Sequence, residues 1–350
     1  MRPLARVVWA TMRPPVLLLL VLYAACGLAQ GGATGVTAML RVLLVVAPFL
    51  AYSAVVNDLA DERIDRVNLP ADARRVLVSG AAHRRQLWVV AALAAAVTAL
   101  AALSLGWAAL AVAAAGLAVS TAYSVGPVRL AERGILASLA LPACYVAVPL
   151  LLGLLASRGS VRAGDLPLLT ALYIGFVGRI ILKDFRDLRG DALFGKRTFL
   201  VRHGRVWTCR VSALCWVAAA VLLVSTRPGV TPAYVLTTAV GTAGALVLLR
   251  DLARDRGHRR DEWAISALAI VGRGLVLVLA VDLAAPAAGW PAALTAAVIV
   301  ALASVLGRQA AQMRRQGPSR GMAAAPGPVP ACALTANTAG SGDFPRGPGR

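Results

Sequence analysis

The chain has 350 residues, of which 59% are hydrophobic and only 15% charged, and its mean hydropathy is +0.73. This composition excludes an ordinary soluble protein of two or three domains and indicates a membrane protein. The 36 basic residues outnumber the 16 acidic ones, which gives a net charge of +20, and only Lys183 and Lys196 are lysines.

Ten apolar runs are each long enough to cross a bilayer as a helix, which needs about 20 mostly apolar residues. They lie at about 15–30, 35–58, 87–106, 107–125, 134–157, 165–185, 206–226, 231–250, 262–284 and 289–307. The runs predict an all-α multi-pass helical bundle of ten spans. Because a long basic stretch precedes the first run and no good cleavage site follows it, we expect an uncleaved first helix rather than a signal peptide.

The two ends of the chain differ from its apolar middle. Residues 1–14 form a basic N-terminal segment, and residues 15–308 form the predicted transmembrane domain. Pro, Gly, Ala and Ser dominate from Gly317 onward. That composition is typical of disorder, so we predict a disordered tail over 309–350.

The arginines are divided unequally between the two sets of connections. If the N-terminus is cytoplasmic, the basic segments 2–13, 63–85, 129–133, 186–210, 250–260 and 308–320 all lie on the cytoplasmic side. The opposite connections are short and carry only Arg158, Arg162 and Arg227. This asymmetry follows the positive-inside rule. We therefore predict a cell-membrane protein with both termini in the cytoplasm, and the basic charge requires no nucleic-acid partner.

Half of the acidic residues are concentrated in two short segments, with five in 58–72 and three in 184–191. Each segment continues an apolar run, the second and the sixth, at its cytoplasmic end. The two clusters are therefore predicted to lie four helices apart on the same side of the membrane.

Both clusters have the spacing of a one-sided helical stripe. If the helices persist beyond the apolar runs, each stripe gathers its members on one face: Asn57, Asp61 and Asp65 in the first, Asp184, Asp187 and Asp191 in the second. Like charges at such spacings repel, so a cation is expected between them. Side-chain oxygens suit Mg²⁺, which shares its shell with water and phosphate. The alternative, two sets of solvated surface acids, is disfavoured because the clusters are equivalently placed.

Basic residues accompany the acidic clusters. Arg75 and Lys183 are the candidate ligands for a metal-bound diphosphate, whereas the positive-inside rule is sufficient to explain most neighbouring arginines. Arg273 lies near the centre of the ninth run, where a charge is unfavourable unless it faces a cavity or a partner. We predict that Arg273 contacts an acceptor or a chain end, with a structural ion pair as the alternative.

Three motifs occur at the ends of the second, fourth and sixth runs. Residues 57–66 read NDLADERIDR, residues 123–130 read YSVGPVRL, and residues 183–191 read KDFRDLRGD. These resemble, in order, the NDxxDxxxD motif, the YSxxPxRL loop and the KDxxDxxGD segment of the UbiA superfamily of intramembrane prenyltransferases. The resemblance covers about residues 15–285.

The resemblance implies a bundle of nine core helices around a central cavity, in which two Asp motifs hold Mg²⁺ and the diphosphate of a polyprenyl donor. Against nine family helices, the tenth run at 289–307 is either an additional span or a peripheral helix. It assigns metal binding to Asn57, Asp61, Asp65, Asp187 and Asp191, catalytic support to Asp58, Asp184 and Lys183, and substrate binding to Tyr123, Ser124 and Arg129. Arg129 and Lys183 are expected to face the diphosphate.

One segment departs from the family pattern. The family's N-x-P-x-R-P-L-x-S-G sequence reads here as NLPADARRVLVSG over 68–80, with a longer spacer and Val76 in place of proline. That loop helps to cap the site, so acceptor recognition is expected to differ from that of well-known members.

The leading hypothesis is an Mg²⁺-dependent transferase of isoprenoid biosynthesis that moves a prenyl or polyprenyl group from its diphosphate to a lipophilic, aromatic acceptor. Aromatic side chains that could face the carbocation are Phe49, Tyr52, Tyr123, Tyr173 and Phe176, with ordinary helix packing as the alternative. A terpene cyclase acting on the diphosphate alone and a non-enzymatic transporter remain as further hypotheses.

Overall fold

The computed structural model describes residues 11–68, 76–185, 198–227 and 229–317, and these residues form ten long helices and no β-strand. The helices are α1 Pro14–Gln30, α2 Val36–Asn68, α3 Arg84–Leu103, α4 Trp107–Ser124, α5 Ile135–Arg158, α6 Leu166–Ile180, α7 Phe199–Ser225, α8 Pro232–Ala253, α9 His258–Ala287 and α10 Ala292–Gln316. The predicted all-α multi-pass bundle is confirmed.

Nine spans in the described part of the chain, those containing α2 to α10, are long and apolar enough to cross a membrane. The 17 residues of α1 are equally apolar and extend over about 26 Å, slightly less than the ~30 Å of a hydrocarbon core. Even so, α1 lies inside the bundle, where it packs against α2, α5 and α9. Leu20, Tyr23 and Cys26 of α1 are completely buried.

The contact between α1 and α5 depends on two glycines. A Cβ atom on Gly27 would lie 2.1 Å from the carbonyl oxygen of Leu150, and one on Gly153 would lie 2.4 Å from the carbonyl oxygen of Ala24. Small residues at such crossings let two backbones approach closely in a membrane, where packing rather than water exclusion drives association. Glycine at both positions therefore fixes α1 directly against α5.

Several helices differ in extent from the apolar runs that predicted them. Helix α2 continues to Asn68, ten residues past the predicted end of its run. Its last turns are polar, so the hydropathy of the sequence did not indicate that the helix extends this far. Helix α6 ends at Ile180, and a turn over 181–183 separates it from Asp184. The second acidic stripe is therefore not a direct continuation of α6.

The tenth run forms a helix at the edge of the bundle that is long and apolar enough to cross a membrane. Helix α10 packs on α8 and α9, with few of its residues buried, and it continues to Gln316 because its last two turns are polar. Residues 1–10, most of the predicted N-terminal segment, and 318–350, most of the predicted tail, lie outside the described residues.

The ends of α2, α4 and α6 and the beginnings of α1 and α5 border one cavity, as does Thr198 directly before α7. Near the beginning of α7, Arg205 contacts Leu252 at the end of α8 and Asp261 at the beginning of α9, and Arg314 at the end of α10 contacts Asp251 of α8. These helix ends therefore lie at the same end of the bundle. We call this the site end and the other the opposite end. The first acidic motif and the described part of the second, Lys183 and Asp184, lie at the site end.

Candidate active site

The first motif lies on the last turns of α2. Asn57, Asp61 and Asp65 share one face of this helix, and all three border a cavity of about 500 Å³ at the site end. The Asn57 side-chain nitrogen donates a hydrogen bond to Oδ2 of Asp61 at 2.9 Å. Asp65 is buried, with 7% of its surface exposed. The continued helix thus presents three oxygen-bearing side chains to one cavity.

Asp58 does not border this site cavity, although the adjacent Asn57 does. Asp58 is buried, and its Oδ1 accepts a hydrogen bond from Nη2 of Arg13 at 2.6 Å. Arg13 directly precedes α1 and does border the cavity. The arrangement gives Asp58 a positioning role, in which it holds a basic group at the cavity wall.

The second motif reaches the same cavity from the end of α6. Lys183 and Asp184 both border it, and Nζ of Lys183 donates a hydrogen bond to the hydroxyl oxygen of Tyr123 at 2.9 Å. The predicted metal ligands Asp187 and Asp191 lie outside the described residues, as does the candidate phosphate ligand Arg75. The described half of the second motif therefore faces the first motif across a shared space.

The end of α4 and the loop that follows it both contribute to the site. Tyr123 and Ser124 border the cavity. Arg129 is not among the cavity-lining residues, but its Nη2 donates a hydrogen bond to Oδ1 of Asp61 at 3.0 Å. Arg129 thus supplies a positive charge directly at the acidic motif rather than across an open space.

Arg273 also borders the cavity, one helical turn after Ala269 on α9. The structure therefore brings together residues from α1, α2, α4, α6 and α9. Of the five proposed aromatic side chains, Tyr123 and Phe176 border the cavity. The other three do not: Phe49 is buried in the core, Tyr52 hydrogen-bonds Thr121, and Tyr173 hydrogen-bonds the carbonyl of Leu139.

Three of the basic and aromatic residues that line the cavity were not singled out from the sequence: Arg13, Tyr145 and Arg179. The guanidinium of Arg179 donates hydrogen bonds to the hydroxyl of Tyr23 and to the carbonyl oxygen of Gly175. Because a Cβ atom at position 272 would lie 2.5 Å from Cδ of Arg179, the space for this side chain depends on Gly272. The sequence could have pointed to Arg179, because a charged residue inside an apolar run is a candidate functional residue.

The cavity combines a charged region with an apolar one. Among its described lining residues, Arg13, Arg179, Lys183 and Arg273 are basic, and Asp61, Asp65 and Asp184 are acidic. Its apolar walls include Val16, Leu19, Leu141, Phe176 and Ile180. A molecule with a highly charged head and a long hydrocarbon body matches this division.

The donor atoms at the acidic motif fit a hard divalent cation. Asn57, Asp61 and Asp65 offer amide and carboxylate oxygens, the ligand type that Mg²⁺ prefers. Within the described ranges, no three His, Cys, Asp or Glu residues converge tightly enough to hold a metal by themselves. A cation at this site therefore needs further ligands, which water or a phosphate group can supply.

Part of the loop that departs from the family pattern packs next to the site end. Val76 and Leu77 are buried in a cluster with Val55, Leu59 and Leu87 of α2 and α3. Residues 69–75 lie outside the described ranges. The valine that replaces the expected proline thus serves as a packing residue.

Comparison with known proteins gives one consistent set of relatives. The sequence profile of the UbiA prenyltransferase family matches residues 17–271. The bacteriochlorophyll synthase 34 kDa chain of Chloroflexus aurantiacus is 26% identical over 192 residues, and the chloroplastic chlorophyll synthase of Avena sativa is 30% identical over 201 residues. Each match covers 53% of this chain, and the matched regions span 60% and 52% of those relatives, respectively.

Solved structures share the fold. A digeranylgeranylglyceryl phosphate synthase structure has a TM-score of 0.64 and 19% identity, with 80% of this chain and 99% of that chain covered. A UbiA homologue from Archaeoglobus fulgidus, bound to DMAPP and Mg²⁺, has a TM-score of 0.59 and 15% identity, with 79% and 99% covered. With a matching profile over most of its length and a bundle of this architecture, the chain belongs to the UbiA prenyltransferase family.

Proposed function

We propose that this protein is an Mg²⁺-dependent prenyltransferase that moves a prenyl or polyprenyl group from its diphosphate to a lipophilic, aromatic acceptor. The observation that carries the proposal is the shared cavity, in which Asn57, Asp61 and Asp65 face Lys183 and Asp184. Family membership supports it. The related bacteriochlorophyll and chlorophyll synthases and the homologue bound to DMAPP and Mg²⁺ are consistent with the same chemistry.

Charge at the cavity head would bind and orient the donor. Asn57, Asp61 and Asp65 would hold Mg²⁺, together with Asp187 and Asp191 of the second motif. When bound, Mg²⁺ would neutralise the diphosphate and stabilise the negative charge that develops as it leaves. Lys183 would contact the phosphate oxygens, and Arg75 and Arg129 are the remaining phosphate contacts proposed from the sequence. Charge-assisted hydrogen bonds of this type are stronger than neutral ones. Arg273 would contact the acceptor or the end of the prenyl chain.

The apolar walls would hold the hydrocarbon chain and exclude water from the carbocation. Tyr145 and Phe176 face each other with ring centroids 5.9 Å apart, and both border the cavity. Aromatic faces stabilise a neighbouring cation without offering a nucleophile as reactive as water. These two rings, with Tyr123, are the best placed to shield the reactive carbon until the acceptor attacks.

We further propose that the site end faces the cytoplasm, because the arginine-rich connections are concentrated there. A diphosphate donor would then enter from the compartment that supplies it, and the acceptor from the bilayer.

The test is a product assay on membranes that contain the full chain. Labelled prenyl diphosphates of several lengths are incubated with quinone precursors or a chlorophyll precursor, with Mg²⁺ or with a chelator. We expect a prenylated product and diphosphate release that both require acceptor and Mg²⁺. Diphosphate release with a terpene product in the absence of acceptor would instead establish a cyclase, and substrate flux without turnover would establish a transporter.

A further inference from the structure

A second cavity lies on the outside of the bundle, between α8, α9 and α10. This outer groove has a volume of about 560 Å³ and a nearly all-apolar lining that includes Val240, Val271 and Val300. It shares no lining residue with the site cavity. The groove ends at Arg314, near the C-terminal end of α10. The outer groove therefore runs between apolar helices and reaches the site end of the bundle.

The groove owes its depth to glycines on two of its three helices. A Cβ atom on Gly244 of α8 or on Gly307 of α10 would meet nothing within 4 Å. By contrast, a Cβ atom on Gly274 of α9 would lie 2.8 Å from the Leu306 side chain. Gly244 and Gly307 thus border open space, whereas Gly274 serves a helix contact.

A polar pocket continues the groove at the site end. This head pocket, about 370 Å³ in volume, shares Leu248 and Arg314 with the outer groove. Its charged lining residues are Arg256, Arg260, Arg314 and Arg315 with Asp251 and Asp261. Four guanidinium groups against two carboxylates give the pocket an excess of positive charge.

That excess is increased by an arginine outside the pocket. Nη2 of Arg205 donates a hydrogen bond to Oδ2 of Asp261 at 2.7 Å, and Arg205 is not a lining residue. The charge of Asp261 is therefore neutralised by Arg205 from outside the pocket. Asp251 is the other carboxylate among the pocket's lining residues. Asp251 pairs with Arg314 and, at 3.4 Å, with Arg256.

A tryptophan marks the level of the membrane surface at this point. The guanidinium carbon of Arg260 lies 5.3 Å from the ring centroid of Trp263. Tryptophan favours the boundary between hydrocarbon and headgroups. From this tryptophan we place the head pocket at headgroup depth and the outer groove at the depth of the acyl chains.

We propose that the outer groove and the head pocket together bind one anionic phospholipid, with its phosphate on the arginines and an acyl chain along α10. From Val300 to Arg314 the groove follows 14 residues of α10, about 21 Å of helix, which exceeds the ~15 Å of one leaflet's hydrocarbon. Basic pockets between transmembrane helices suit anionic headgroups. A zwitterionic lipid would leave the excess positive charge unbalanced, and a protein segment would not need a headgroup pocket joined to a chain-sized groove.

The proposal is tested by native mass spectrometry on the purified full chain. Phosphatidylglycerol and phosphatidylcholine with identical acyl chains are added in equal amounts, and the fraction of protein that retains each lipid is measured. We expect at least about a tenfold preference for phosphatidylglycerol, equivalent to ~1.4 kcal/mol. Equal retention of the two lipids would overturn the proposal.

Two pairs of variants separate the head contacts from the chain contacts. Arg260→Gln with Arg315→Gln should abolish the preference for phosphatidylglycerol. The matched control, Arg254→Gln with Arg308→Gln, removes equal charge outside the pocket and should preserve the preference for phosphatidylglycerol.

The chain contacts are tested in the outer groove. Gly244→Leu with Gly307→Leu should reduce retention of phosphatidylglycerol, whereas Ala301→Leu on the exposed face of α10 should not. Unchanged retention in the glycine variant would show that only a headgroup is bound and would overturn the lipid assignment.

Discussion

Two arginine–aspartate pairs, one at each end of the bundle, have the same chemistry in different surroundings. At the site end, Arg129 contacts Asp61 at 3.0 Å, and the two side chains are 29% and 15% exposed. At the opposite end, Arg227 contacts Asp282 at 2.7 Å, and the exposures are 11% and 1%. Asp61 also borders the site cavity, whereas Asp282 is enclosed by protein and accepts a further hydrogen bond from the Thr231 hydroxyl at 2.7 Å.

The difference lies in what can replace the arginine. Beside a cavity, another cation or a water molecule can take its place at Asp61, so the carboxylate remains available for binding. In the enclosed pair, removal of one partner leaves a buried charge without compensation. We therefore expect the opposite-end pair to maintain the structure, and we propose that the site-end pair takes part in the chemistry.

Replacement of Asp282 should have the largest effect on stability. Asp282→Ala leaves Arg227 buried without its carboxylate, which costs about 3–5 kcal/mol of the free energy of unfolding. The measurement is thermal unfolding of the purified protein in detergent. Arg227→Met combined with Asp282→Leu removes both charges and should recover most of the loss. An unfolding temperature unchanged by Asp282→Ala would contradict the structural role of this pair.

Replacement of Asp61 should reverse that pattern, with activity lost and stability retained. Asp61→Ala removes an oxygen ligand at the cavity, and we expect turnover to fall by about 100- to 1,000-fold, the range seen when one electrostatic contact to a transition state is removed. Initial rates of diphosphate release measure the effect. Glu62→Ala is the matched control, because Glu62 pairs with Arg66 and Arg84 away from the cavity. A comparable loss of turnover in both variants would refute the assignment.

Lys183 should have an intermediate effect. Lys183→Met keeps much of the side-chain volume but removes a charged hydrogen-bond donor, worth about 1.5–3 kcal/mol. Turnover should therefore fall by roughly 10- to 100-fold, with an increase in the KM of the donor. Steady-state kinetics with varied donor concentration provide the measurement. If only the acceptor KM rises, Lys183 does not contact the diphosphate.

Tyr123 should have the smallest effect. Tyr123→Phe keeps the ring at the cavity and removes only the hydroxyl that accepts the hydrogen bond from Lys183. The loss of one such bond is worth about 0.5–1.5 kcal/mol, so turnover should fall by no more than about tenfold. In the double variant with Lys183→Met, the two effects should not add, because both act on one interaction. Full additivity would show that the hydrogen bond does not orient Lys183.

The sequence was informative wherever the signal was local. Apolar runs predicted all ten helices, and motif resemblance predicted that Asn57, Asp61 and Asp65 belong with Lys183 and Asp184. The ends of the helices were less predictable, because hydropathy detects the membrane region and not the helix itself. Helix α2 therefore continued past its apolar run, and α6 ended before its run did.

Residues that join the site through distant contacts could not be predicted from local patterns. Arg13 meets Asp58 across 45 positions of the chain, and Arg13 looked like one of many arginines that satisfy the positive-inside rule. Arg179 contacts Tyr23 across 156 positions and depends on Gly272 for space. These contacts arise from the packing order of α1, α2, α6 and α9, which single-sequence periodicity does not contain.

Helix α5 includes one wide turn, a π-helical segment over Ala143–Ala147. Leu141 and Tyr145 border the site cavity near this segment, while Leu150, Leu152 and Leu154 farther along are fully buried. A π turn accommodates one extra residue, and each residue rotates a helix by about 100°. Deletion of a single residue in this segment would therefore turn one half of α5 against the other. The number of residues in this five-residue segment, and not the identity of their side chains, thus sets how the cavity wall is oriented relative to the core.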